Sequence, residues 1–158
     1  MVKMKLTLLL TQDNKHGINK EEGIPWFFKE EAAFFKSKMD IVETKALVVD
    51  DPSLIDNDIQ TFVITKDYNL PAVVRDAQVQ NIDHLFLRGD QMLLRDLFIY
   101  YKQPTYLVLI KINAWYDCNS LVCLDTSNYT LLDSHTVCVT DEKTNQLIQI
   151  DCCHYQCV

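Results

Sequence analysis

The chain predicts one α/β domain: a central, mostly parallel sheet with flanking helices and a C-terminal antiparallel hairpin. Three observations carry this reading. Five short runs are almost wholly apolar, two helix-like patterns lie between them, and the last third of the chain alternates apolar with polar residues. Short continuous apolar runs suit strands covered on both faces. With 158 residues, 48 % hydrophobic and 23 % charged, the chain is large enough to bury a core. No repeat, low-complexity tract or Pro/Gly/Ser linker interrupts it, so residues 1–158 are read as a single domain.

The elements follow in order. Leu6 to Thr11 is the first strand, and Phe27 to Met39 the first helix. Strands are expected at Ala46 to Val49, Thr61 to Thr65, His84 to Leu87 and Thr105 to Ile112. A second helix spans Gln91 to Tyr101, with Asp90 as its N-cap. Ser134 to Thr140 and Gln146 to Ile150 both alternate around the polar cluster Asp141 to Asn145, the pattern of a β-hairpin. Asn57-Asp58, Asn69-Leu70-Pro71 and Asn119 to Asn128 read as exposed connections.

A net charge of −7 opposes nonspecific association with nucleic acid or anionic lipid. No window approaches the ~20 apolar residues of a membrane span. The run from Leu6 to Thr11 is too brief for a signal-peptide core. The expected location is therefore cytoplasmic, or within a particle assembled inside the cell, and not secreted. All six cysteines lie in the last third, and in such a compartment their default state is the reduced thiol.

The most informative residue is Glu31. On an ideal helix with Phe28 at zero, Phe35, Met39 and Ala32 fall within about 40° of it and Glu31 at about −60°, inside the apolar arc, while Glu30 lies on the opposite face. A carboxylate there, if desolvated, has a raised pKa and can donate a proton or hydrogen-bond a cationic, amidine-like ring. It can equally reach the rim of the core and pair with a backbone amide or a lysine.

The segment Gly17-Ile18-x-Lys20-x-x-x-Ile24-Pro25-Trp26, followed by Glu31 and Phe35-Lys36, resembles the N-terminal part of dihydrofolate reductase. The resemblance implies that family's fold for the whole chain. It matches Glu31 to the acid that binds the pteridine N3 and 2-amino edge, Phe35 to the aromatic on the ring, and Trp26 to the loop tryptophan near the catalytic water. Gly17 and Ile18 match the loop that closes on nicotinamide. Asn19 replaces the second loop glycine, and Thr11 stands where the family usually has Ala.

The cofactor motifs depart from the family. Its second strand usually ends in Met-Gly-Arg or Met-Gly-Lys before x-Thr-Trp, where the NADPH phosphates are received; the matching residues are Val49-Asp50-Asp51-Pro52-Ser53-Leu54. Two carboxylates in place of phosphate-binding groups exchange attraction for repulsion, about 1 to 4 kcal/mol for each close pair. Pro52 also removes a backbone donor. The family's Gly-Gly pair aligns with Arg88-Gly89. The arginine that clamps the substrate's glutamate has no counterpart in Ile59-Gln60-Thr61, and the threonine supporting the catalytic acid aligns with Val108.

The expectation is a retained fold and a discarded cofactor site: a catalytically inactive relative of dihydrofolate reductase, serving as a structural or protein-interaction subunit of a larger assembly, a virion by analogy. Phe98-Ile99-Tyr100-Tyr101 and Trp115-Tyr116 are candidate partner surfaces. No cofactor is expected. Two alternatives stand beside it: a divergent NADPH-dependent reductase using Glu31 and Trp26, and a pterin-like ligand binder without chemistry. No metal site is expected, because Cys152-Cys153-His154-x-x-Cys157 has no standard finger spacing and adjacent strand cysteines face opposite ways. Asp50, Asp51, Asp56 and Asp58 lack the spacing of a calcium loop. The four histidines are scattered without a nucleophile partner.

Overall fold

The predicted parallel pairing is present in a computed structural model, which describes residues 3–158. Strand β1 (Lys5–Gln12) pairs in parallel with β5 (His84–Arg88), and β5 in turn with β3 (Lys45–Val49). β3 also pairs in parallel with β4 (Thr61–Val63). With β6 (Tyr106–Ile112), β8 (Tyr129–Asp141) and β9 (Gln146–Cys157), the hydrogen-bonded order is β4-β3-β5-β1-β6-β9-β8. The fold is α/β with a mostly parallel sheet that ends in an antiparallel hairpin.

The chain divides into two compact units, each assembled from separated segments. One takes the chain up to Leu9 with Met39–Tyr106, the other Leu10–Lys38 with Leu107–Val158. In the first, Ala46, Val48, Leu85 and Leu87 are fully buried, as expected of strands covered on both faces. Helices α2 (Leu70–Val79) and α3 (Gln91–Tyr100) bury Leu70, Val73 and Ala77, and Leu93 and Leu97, at helical spacing.

Helix α2 corrects the reading of Asn69-Leu70-Pro71 as an exposed connection. The Asn69 side chain accepts from the Ala72 N–H, and Pro71 occupies the first turn, where its missing donor has no cost. The buried Asp96 carboxylate of α3 accepts the Leu70 N–H at 3.0 Å, so a second orphan donor of α2 is also satisfied. Asp90 is the N-cap residue of α3, as expected, but its side chain makes no cap bond, and the helix start is served instead by Asp50, the residue after β3.

Helix α1 spans Lys29–Asp40, within the second unit as far as Lys38, and begins later than the apolar pattern suggests. The reason lies in the Phe27 backbone. Its N–H is taken by the Asp141 carboxylate and its carbonyl accepts from the Glu142 N–H, which holds the chain out of helical geometry. Phe28, Phe35 and Met39 are buried, whereas Ala32, expected within the apolar arc, is exposed. The hairpin is longer than predicted, pairing Tyr129↔Cys157 through Asp141↔Gln146, with Asn145 in the left-handed region at the turn. Within Asn119 to Asn128, read as a connection, Ser120–Leu121 forms a short strand, β7, paired antiparallel with β2 (Gly17–Asn19).

Candidate functional site

The residues matched to a substrate site all fall in the second unit. Glu31 lies half-buried in the first turn of α1, and the Thr11 hydroxyl, at the end of β1, donates to its Oε2 at 2.6 Å. Val108 is fully buried on β6 and offers no hydroxyl. The threonine hydroxyl bonded to Glu31 therefore comes from β1 and not from β6. One turn beyond Glu31, Phe35 is buried.

Trp26 is 4 % exposed and meets the Tyr116 ring edge-on at 5.2 Å. Its indole N–H is the one buried side-chain polar group without a hydrogen-bond partner among the described residues. Ile18 is buried on β2, and the chain around it is held on several sides. A Cβ at Gly17 would stand 2.6 Å from the Cys118 Cβ and 2.9 Å from Asp13 Oδ1, so only glycine permits this approach.

Two buried carboxylates not singled out from the sequence organise these loops. Asp13 accepts from the backbone N–H groups of Lys15, Gly17 and Tyr116 at 2.8–3.0 Å. Burial alone pushes its pKa up, but these donors together outweigh it and hold the carboxyl below its usual range. Asp141 is fully buried and accepts from Phe27 N–H, Lys143 N–H, the Tyr116 hydroxyl at 2.6 Å and the Thr144 hydroxyl. Its pKa is lowered on the same balance, while burial and then the Asp141 bond raise that of Tyr116. Tyr116 therefore links the Trp26 loop to the hairpin turn. The sequence signal is faint: one Asp just after a buried strand, another closing a hairpin strand.

The residues matched to the cofactor's phosphate site, Asp50, Asp51, Ser53, Arg88 and Gly89, all fall in the first unit. The β3–β5 register sets Val49 opposite Arg88, which brings the next residues, Asp50 and Gly89, side by side. Asp50 Oδ2 accepts from the Asp90 N–H at 2.8 Å and the Leu93 N–H at 3.0 Å, at the start of α3. A Cβ at Gly89 would lie 2.5 Å from Asp50 Oδ1, so the room left by the glycine is filled by that carboxylate. Asp51 caps the short 3-10 turn Pro52–Leu54 by accepting the Ser53 N–H at 3.0 Å.

Elsewhere in this unit His84 is buried, its Nε2 2.6 Å from the Thr7 hydroxyl and its ring stacked on Phe86 at 4.4 Å. Burial pushes its imidazole down to about 4. Among the described residues no group of three or more His, Cys, Asp or Glu side chains is gathered to hold a metal ion. No helix among them is long and apolar enough to cross a membrane. None of the six cysteines is joined in a disulfide.

No protein-family model matches the chain, and no curated protein sequence matches it. Among solved structures, dihydrofolate reductase from Enterococcus faecalis, in a complex with NADP(H) and RAB-propyl, is similar over 99 % of both chains. The TM-score is 0.64 and the sequence identity 16 %. The chain therefore has the dihydrofolate-reductase-like fold.

Proposed function

We propose that this is a catalytically inactive dihydrofolate-reductase-like protein that serves as a structural or protein-interaction subunit. The observation that carries the reading is the Asp50 carboxylate bonded to the first amides of α3. Helix starts favour anions, and in a nucleotide-binding protein such amides are offered to phosphate. In this chain they already hold a tethered anion, and Asp51 adds a second negative charge beside it. The residues of the β3 and β5 ends, Asp50, Asp51, Ser53, Arg88 and Gly89, therefore do not suit the phosphates of NADPH, and no cofactor is assigned.

A partner surface is supported by exposed apolar side chains. Phe98, Ile99 and Tyr100 line the outer side of α3, and Trp115 is exposed under the Lys15 ammonium. Tyr116 is committed to Asp141 and does not belong to such a surface. Titration of the purified chain with NADPH, followed by tryptophan fluorescence and melting temperature, tests the proposal. No response at millimolar cofactor is expected; saturable micromolar binding, about −8 kcal/mol, would sink it and favour a divergent reductase.

A second reading, a pterin-like ligand site without chemistry, is favoured by the unpartnered Trp26 indole N–H close in sequence to the Thr11–Glu31 pair. If it holds, folate quenches tryptophan fluorescence saturably, and Glu31→Gln weakens that binding at least tenfold, about 1.4 kcal/mol, with the melting temperature kept. Equal folate affinity in wild type and Glu31→Gln would remove Glu31 from any such site.

A further inference from the structure

We propose that Asp50 is a built-in internal ligand: its carboxylate occupies the start of α3 as a tethered anion and closes that position to phosphate groups from outside. The inference deepens the reading above and rests on it in one respect, that no cofactor phosphate reaches α3 in the wild-type chain.

Three features of the geometry converge. The carboxylate accepts from the N–H of the N-cap residue, Asp90, and from that of the third helical residue, Leu93, so it does the work of an N-cap side chain from the residue after β3. Asp90, in the position where a cap is normally found, makes no side-chain cap bond. The other carboxylate oxygen lies 2.5 Å from where a Cβ of residue 89 would stand, so the glycine gives the acid its room. These are consequences of register: Val49 opposite Arg88 delivers Asp50 beside Gly89 and under the first turn of α3.

The tether decides the competition. A phosphate from solution must lose its translational freedom to bind, whereas the Asp50 carboxylate is already fixed at the end of β3, where its effective concentration is high. The incoming anion also meets the repulsion of Asp50 and Asp51 unless Asp50 is first displaced. Simple charge repulsion would leave the helix-start amides available to water. An internal ligand uses them for folding, and the two cases differ in what happens when the carboxylate is removed.

The test compares the full-length wild type with Asp50→Ala, by melting temperature in chloride and in inorganic phosphate at equal ionic strength. The wild type in both buffers measures the general stabilisation that phosphate gives any protein. Asp50→Ala is expected to melt about 5 °C lower in chloride, as for a lost helix cap in a chain of this size. Phosphate is expected to restore at least half of that difference beyond its effect on the wild type. The Asp90 and Leu93 amide resonances are expected to move with phosphate in the variant and to stay in place in the wild type. An unchanged melting temperature, or a loss that phosphate does not restore, overturns the proposal.

If Asp50→Ala does not fold, Asp50→Asn keeps the shape and one acceptor and removes the charge. The proposal then requires the Asp90 and Leu93 amides to shift more than those elsewhere in α3, and fails if they do not. Saturable cofactor binding by the wild type would refute both the loss of cofactor and the closed α3 start; a silent wild type with an unrescued Asp50→Ala would refute the internal ligand alone.

Discussion

Replacing Asp141 with Ala is expected to destabilise the protein by about 4 kcal/mol, since the change strands several buried donors at once. The Phe27 and Lys143 amides and the Tyr116 and Thr144 hydroxyls all converge on this fully buried carboxylate. Phe27 marks the entry to α1, Tyr116 lies in the β6–β7 connection and Thr144 in the hairpin turn, so one substitution loosens three parts of the unit. Chemical denaturation should show a lower midpoint with an unchanged slope, and thermal melting a fall of about 10 °C. Tyr116→Phe removes only one of the four bonds and should lose about 1 kcal/mol. If Asp141→Ala unfolds at the wild-type midpoint, the network is not what fixes the Trp26 loop.

The second large effect is on acid stability. His84 titrates near 4 in the folded protein because burial disfavours its charged form, against an ordinary value of 6.5. Between these two values the unfolded chain binds the proton that the folded one refuses. Stability is therefore full above pH 6.5 and falls as the pH drops toward 4, by about 3 kcal/mol in all. His154, also lowered by burial, contributes with the same sign. Asp13 and Asp141 act lower, since depressed carboxyl pKa values confer stability that is lost only as pH falls below the ordinary carboxylate range. His84→Gln keeps a partner for the Thr7 hydroxyl and removes the titration. Its denaturation midpoint should vary much less than that of the wild type between pH 7 and pH 4.5; an identical slope would assign the acid sensitivity elsewhere.

The parallel strands β1, β3 and β5 are legible in the sequence because their apolar runs are buried on both faces, which leaves little room for another reading. The hairpin is legible for the opposite reason, through alternation and a polar turn. Helix α2 is not, since Asn-Leu-Pro serves equally as a turn and as a capped helix start, and only packing of Leu70, Val73 and Ala77 decides between them. The site divides similarly. The paired carboxylates Asp50-Asp51 after the β3 run are visible in the residues themselves. That Asp50 goes on to serve α3 depends on the β3–β5 register, which no local pattern contains. The Thr11–Glu31 and Asp141–Phe27 bonds join residues 20 and 114 positions apart, and each needs the folded chain to be seen.

The assembly of each unit from separated segments also has a consequence in time. Helix α1 leaves the ribosome early, yet the carboxylate that holds its entry belongs to Asp141, and the strands beside which its unit is built begin at Leu107. Until the last third of the chain has been synthesised, Trp26, Phe28 and Phe35 have no completed core to enter. The other unit, closed at Tyr106, can form while translation is still under way. Ribosome-bound chains halted shortly after Tyr106 has emerged should accordingly protect β3, β5 and α3 from proteolysis and leave α1 open to cleavage, a birth order in which the segment that holds Trp26, Glu31 and Phe35 is the last to be sheltered.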